Sequence, residues 1–217
     1  MNMTSYRLNP EGARKVGTSA MISERGGYIG QFVRAEAVES RQGTQGVEFD
    51  FLSDDGQSAK FLTVWTVNGS GVELSGRRMI DAIMTSLGVK AISAQQAVVK
   101  KWDTEQRTEV SVRATVFPEL MGKRLGLVLN REEYEANDRD HTRKWKNAIV
   151  CPFEAATRRL AGERLDNKPA LGLDRLLRIL QDRPLRTTSG PHHNGNGAQS
   201  PDQGGSGFDD MQDNIPF

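Results

Sequence analysis

The chain is poor in the residues that build disulfide and metal frameworks, with one cysteine (Cys151) and three histidines among 217 residues. A lone cysteine excludes an internal disulfide network. Two of the histidines, His192 and His193, fall in a polar Gly/Ser/Pro stretch, so the spaced ligands of a structural zinc site are missing and neither metal nor cofactor is expected. There is no apolar run of spanning length, and Met1 to Ala20 has no signal-peptide core. A soluble, cytoplasmic protein is expected. Net charge is also scarce, at +1. That value is a sum of opposites: the last 31 residues hold four Asp and no Lys, Arg or Glu, leaving 29 basic against 24 acidic residues, +5, on the rest. A mildly basic body is compatible with a polyanionic partner without demanding one.

What is present is mostly strand pattern. Gly27 to Ser40 is apolar on both alternating faces with Gly30 inside, which suggests a long strand that bends. Val47, Phe49 and Phe51 alternate with Glu48 and Asp50, and Asp54-Asp55-Gly56 turns the chain into Phe61, Leu62, Val64, Trp65 and Val67, a hairpin with one wet face. The period then changes. Met79, Ile80, Ile83, Met84 and Leu87 form a helical stripe, with Ser75 as N-cap and Gly88 past its end. Val110 to Val116 and Leu125 to Leu129 read as a fourth and fifth strand, while residues 89 to 107 stay ambiguous. Five strands with a helix between the third and fourth predict a mainly β fold, an OB-like five-stranded barrel. Glu132 to Asn147 reads as a charged arm projecting before a returning strand at Ala148 to Val150, and residues 153 to 162 and Leu173 to Leu180 as C-terminal helices, the second closed by Pro184.

Two segments interleave cations with aromatic rings, the pattern that grips phosphates and stacks bases. One is Lys100-Lys101-Trp102 with Arg107; the other is Tyr134 followed by Arg139, Arg143, Lys144, Trp145 and Lys146. Arg113 lies on the polar face of its strand and points toward a barrel groove, joined by Arg34 and Lys60 if their strands pair as read. Trp65, with apolar neighbours on both sides, is expected in the core. Arg77 and Arg78 open the helix, an unfavourable place for cations that hints at an external anion.

From Thr187 the chain has no large apolar residue up to Gly207 and reads as a flexible linker. It leads to Phe208-Asp-Asp-Met-Gln-Asp-Asn-Ile-Pro-Phe217, where Ile215, Pro216 and Phe217 suit an apolar pocket on a partner and Asp209, Asp210 and Asp213 its basic rim. This acidic tip ending in Ile-Pro-Phe, on a Gly/Gln/Ser/Pro linker, resembles that of bacterial single-stranded DNA-binding proteins. The body is more similar to bacteriophage single-stranded DNA-binding proteins, through GGYIGQFVRAEAVESRQGTQGVEFDF, SGRRMIDAIMTSLGV and GLVLNREEY. The bacterial protein is shorter and lacks the arm and the C-terminal helices, so its tetramer does not carry over.

The resemblance implies a binding domain over 1–186, a linker over 187–207 and a docking tip over 208–217. It implies sequence-independent binding and protection of single-stranded DNA during phage replication, recombination or repair in the infected host's cytoplasm, with the tip recruiting replication or recombination proteins. A recombination or annealing adaptor that also holds duplex DNA is the alternative, and a homo-oligomer stays open. An enzyme is not expected: a nuclease built on Asp138, Asp140 and His141 would set its acidic groups in a charged arm rather than on rigid elements, and no P-loop, nucleophile elbow or HExxH pattern occurs.

Overall fold

A computed structural model describes residues 8, 10, 21–136 and 141–185. The chain divides into a unit spanning Met1–Leu185 and a second unit, Arg186–Phe217, that lies wholly outside the described residues. The period-two patterning becomes seven strands among the described residues, paired antiparallel throughout. They are β1 (Gly26–Glu39), β2 (Gln45–Ser53), β3 (Ser58–Val67), β4 (Gln95–Asp103), β5 (Thr108–Val116), β6 (Arg124–Glu135) and β7 (Arg143–Phe153). Helices are few and short: α1 (Gly76–Leu87), α2 (Ala161–Leu165) and α3 (Gly172–Ile179). The protein is mainly β.

β1 organises the sheet. One edge pairs with β2 from Gly30 to Glu39; the other is shared, by β6 along Gly26–Gln31 and by β5 at Glu36↔Val116. Gly30 sits where β1 has a neighbour on both edges, and a Cβ there would collide with the carbonyl of Leu52 and the backbone of Ser53. Only glycine allows that approach. β2 pairs with β3, β6 pairs with β7, and β3 packs against β7.

The main core lies between the inner faces of these strands and α1. Phe32 stacks on Phe49 at 4.3 Å and meets Phe51 edge-on at 6.1 Å, while Ile80 and Ile83 bring the apolar stripe of α1. Each buried ring or aliphatic side chain contributes about 1.5–3 kcal/mol. α1 spans the predicted turns: Gly88 takes the left-handed conformation (φ 70°), its N–H donating to Thr85 O and that of Val89 to Met84 O. Ser75 stands at the N-cap without a side-chain hydrogen bond.

Seven strands replace the expected five. β4 escaped the sequence because Lys100-Lys101 interrupts its alternation, yet it pairs with β5 from Gln95↔Val116 to Asp103↔Thr108. The charged arm is the outer half of the β6–β7 hairpin, whose ladder runs from Gly126↔Phe153 to Glu135↔Arg143. The helix expected at 153 to 162 is replaced by a tight loop, with Arg158 at φ 61° and Phe153 bridged to Leu160, because Glu154 accepts hydrogen bonds from the Thr157 hydroxyl and Arg159. α3 packs on the sheet, where Leu173, Leu176, Leu177 and Leu180 cover Val128 and Phe153, and α2 lies against α1. Beyond α3, Arg183 exchanges backbone hydrogen bonds with Arg131 and Glu133, bracing the second edge of β6.

Candidate nucleic-acid interface

Two β-bulges flank one residue of β2. Phe32 pairs with Phe51 and Arg34 with Asp50, leaving Val33 as an extra residue in β1. On the other side, Phe51 pairs with Ala59 and Phe49 with Leu62, so Lys60 and Phe61 together oppose Asp50. The Asp50 carboxylate ties both irregularities down. It accepts the Phe61 backbone N–H at 3.0 Å and two guanidinium hydrogen bonds from Arg34 at 2.9 and 3.0 Å.

Arg34 also donates to Glu36 and to Glu48 (2.8 Å), and its side chain is fully buried. The groove-facing role expected for it is therefore corrected: the bulge at Val33 turns it into an ionic layer, where Lys101 of β4 reaches Glu36 at 3.1 Å and Glu48 at 3.7 Å. Burial opposes the Arg34 charge, but the hydrogen bonds and charges of Asp50 and Glu48 outweigh it and raise the pKa above the ordinary arginine value.

Lys101 shares its face of the β4–β5 hairpin with Val99, Val110 and Val112, and through it the hairpin bears on the polar face of β1 and β2. At the hairpin's outer end, Lys60 pairs with Glu109 at 3.2 Å and stands 4.8 Å from the centre of the Trp102 ring. Phe61, Lys101, Trp102, Val110 and Val112 line one shallow hollow together with Asp103, Thr104 and Glu105 at that end of the hairpin. Lys100 and Arg113 lie exposed on the opposite face of the hairpin, and Arg107, at φ 51°, is exposed in its turn.

A second basic and aromatic surface occupies the end of the β6–β7 hairpin. Tyr134 and Trp145, 37% and 41% exposed, point to opposite faces, since Trp145 pairs with Glu133 and Tyr134 with Lys144. Arg131 lies 4.8 Å from the Trp145 ring centre and Lys146 5.9 Å from that of Tyr134. Carboxylates neutralise part of this surface: Arg143 meets Glu133 and Lys146 meets Glu132, both at 3.9 Å. The tip is more evenly charged than its lysines and arginines suggested.

Arg139 and the docking residues Asp209, Asp210, Asp213, Ile215, Pro216 and Phe217 lie outside the described residues. Trp65 is half-buried and stands outside the main core, because Leu62 and Val64 take the inward positions of β3 and leave Trp65 on the other face with Thr63. Arg77 pairs with Asp81 at 3.4 Å across one helical turn. Sequence reasoning missed Phe61 and Arg131. The signal for Phe61 was the Phe61-Leu62 doublet, which breaks a period-two pattern as a bulge does.

His141 pairs with Glu135 at 2.7 Å, Asp138 and Asp140 fall outside the described residues, and no group of three His, Cys, Asp or Glu able to hold a metal occurs among the described residues. Burial, with the nearby Glu163 charge, pushes the Cys151 thiol up to about 11, far from a nucleophile's range. No described helix is long and apolar enough to cross a membrane. No protein-family model matches the chain, and no curated protein matches it.

Proposed function

We propose that this chain binds single-stranded DNA without sequence preference, as bacteriophage single-stranded DNA-binding proteins do, and that its acidic tip, Asp209 to Phe217, recruits replication or recombination partners. The observation that carries the reading is the surface between β3 and the β4–β5 hairpin, where Lys60 stands beside the ring of Trp102 and Lys101 lines the adjoining hollow with Phe61 and Trp102. Cations at an aromatic wall answer the two demands of a single strand, phosphate neutralisation and base stacking. Exposed Lys100 and Arg113 add cations on the opposite face of the hairpin, Arg107 adds one in its turn, and the β6–β7 tip offers a second basic surface.

The strand pairing supports an OB-like scheme. β1, β2 and β3, then α1, then β6 and β7, with β6 on β1 and β3 against β7, follow the five-strand order, and the β4–β5 hairpin is an insertion beside the ligand face.

Anisotropy titration of fluorescent oligo-dT, a duplex of equal length and a mixed-sequence strand tests the reading. Single strands should bind alike and tighter than duplex, with log affinity falling linearly in log salt. Failure to bind oligo-dT at low salt refutes it. Equal affinity for duplex, with rapid annealing of complementary strands, selects the annealing adaptor instead.

A further inference from the structure

Phe61 combines three features that ordinary packing does not explain. It is an aromatic residue at φ 60°, a left-handed conformation that costs a bulky side chain about 1–3 kcal/mol. The residue is 38% exposed and stands outside the main core, so full burial does not offset that cost. It also lies at a bulge, a device that re-aims a side chain, and its N–H is held by a carboxylate that is itself fixed by a buried arginine. The ring so presented borders the hollow it shares with Trp102 and Lys101.

We propose that Phe61 is a base-stacking residue, with Trp102 as the second aromatic wall of one nucleobase subsite and Asp50 as the positioning residue that holds Phe61 in its presented conformation. The inference rests on the single-strand reading above and names where a base sits. The ligand group is a flat heteroaromatic ring, since the hollow offers the rings of Phe61 and Trp102 and the methyl groups of Val110 and Val112, with Asp103, Thr104 and Glu105 completing its lining and Lys60 beside the Trp102 ring as the nearest cation for a phosphate. Arg34 is buried and reaches Phe61 through Asp50.

The test compares the full-length protein with Phe61→Gly, titrating oligo-dT and an abasic strand of the same length that keeps the phosphates, alongside thermal melting. Glycine suits φ 60°, so the variant should melt at the same or a higher temperature. Its affinity for oligo-dT should fall about 5- to 150-fold, the loss of one stacked base. Its affinity for the abasic strand should stay unchanged. Phe61→Leu, which keeps bulk without a π face, should show the same loss should the glycine variant not fold, and Phe61→Trp should retain binding. Wild-type affinity for oligo-dT in the glycine or leucine variant overturns the stacking role and leaves the single-strand reading intact. Wild-type protein that binds neither strand overturns both.

Discussion

Asp50 and Arg34 form a buried ion pair. Arg34 is enclosed by Asp50, Glu48 and Glu36, with Lys101 as the second cation, so two positive groups face three carboxylates. Removing a partner from a buried ion cluster is costly because the remaining charges keep their desolvation penalty. Arg34→Met should therefore destabilise the protein by about 3–5 kcal/mol in urea unfolding. A loss below about 1 kcal/mol would mean that the layer behaves like a solvated surface pair. Little of this was legible beforehand. Arg34 alternates with apolar neighbours as a wet-face residue does, and only the bulge at Val33, set by pairing with Phe51 and Asp50, decides that it goes inside. Lys101 and Trp102 were named from local composition and line one hollow, and Lys60, named from strand pairing, stands beside the Trp102 ring; Phe61 beside them was read as an ordinary strand residue.

At the scale of elements, what repeats regularly was readable and what depends on distant partners was not. β2 and α1 carry clean periods of two and 3.6, and the turn after β2 and the end of α1 follow from Asp54-Asp55-Gly56 and Gly88. β4 and the outer half of β7 carry lysines and arginines whose strand state comes from cross-strand pairing with β5 and β6. The C-terminal helices depend on Glu163, which accepts backbone N–H groups of Leu160 and Leu171 at 2.9 Å and of Gly172 at 2.7 Å. One carboxylate so joins the start of α2 to the start of α3. Burial works against its ionisation, but these donors and the nearby Arg159 prevail and hold its pKa below the usual glutamate value. A depressed carboxylate stabilises the fold above its unfolded pKa and loses that contribution as pH falls through the folded value. Glu163→Gln should cost about 1–3 kcal/mol in urea unfolding at neutral pH. The difference from wild type should shrink under acid, and a difference that holds constant down to low pH would contradict the role.

For the whole molecule, the β1–β3 sheet has two unlike faces. One is apolar and closed by α1; the other is ionic and met by the β4–β5 hairpin, which joins β1 through the single pair Glu36↔Val116 and is held further out by Lys101 and Lys60. α3 lies on another surface, over β6 and β7, and α2 lies against α1. The proposed ligand-binding face is thereby separated from the surface covered by α3. Hydrogen exchange of the full-length protein with and without saturating oligo-dT tests this division most directly. Exchange should slow across Ser58–Val67 and Gln95–Val116 and stay unchanged in Ala161–Ile179. Binding that leaves the first two spans unaltered, or protects only the helices, would contradict the account.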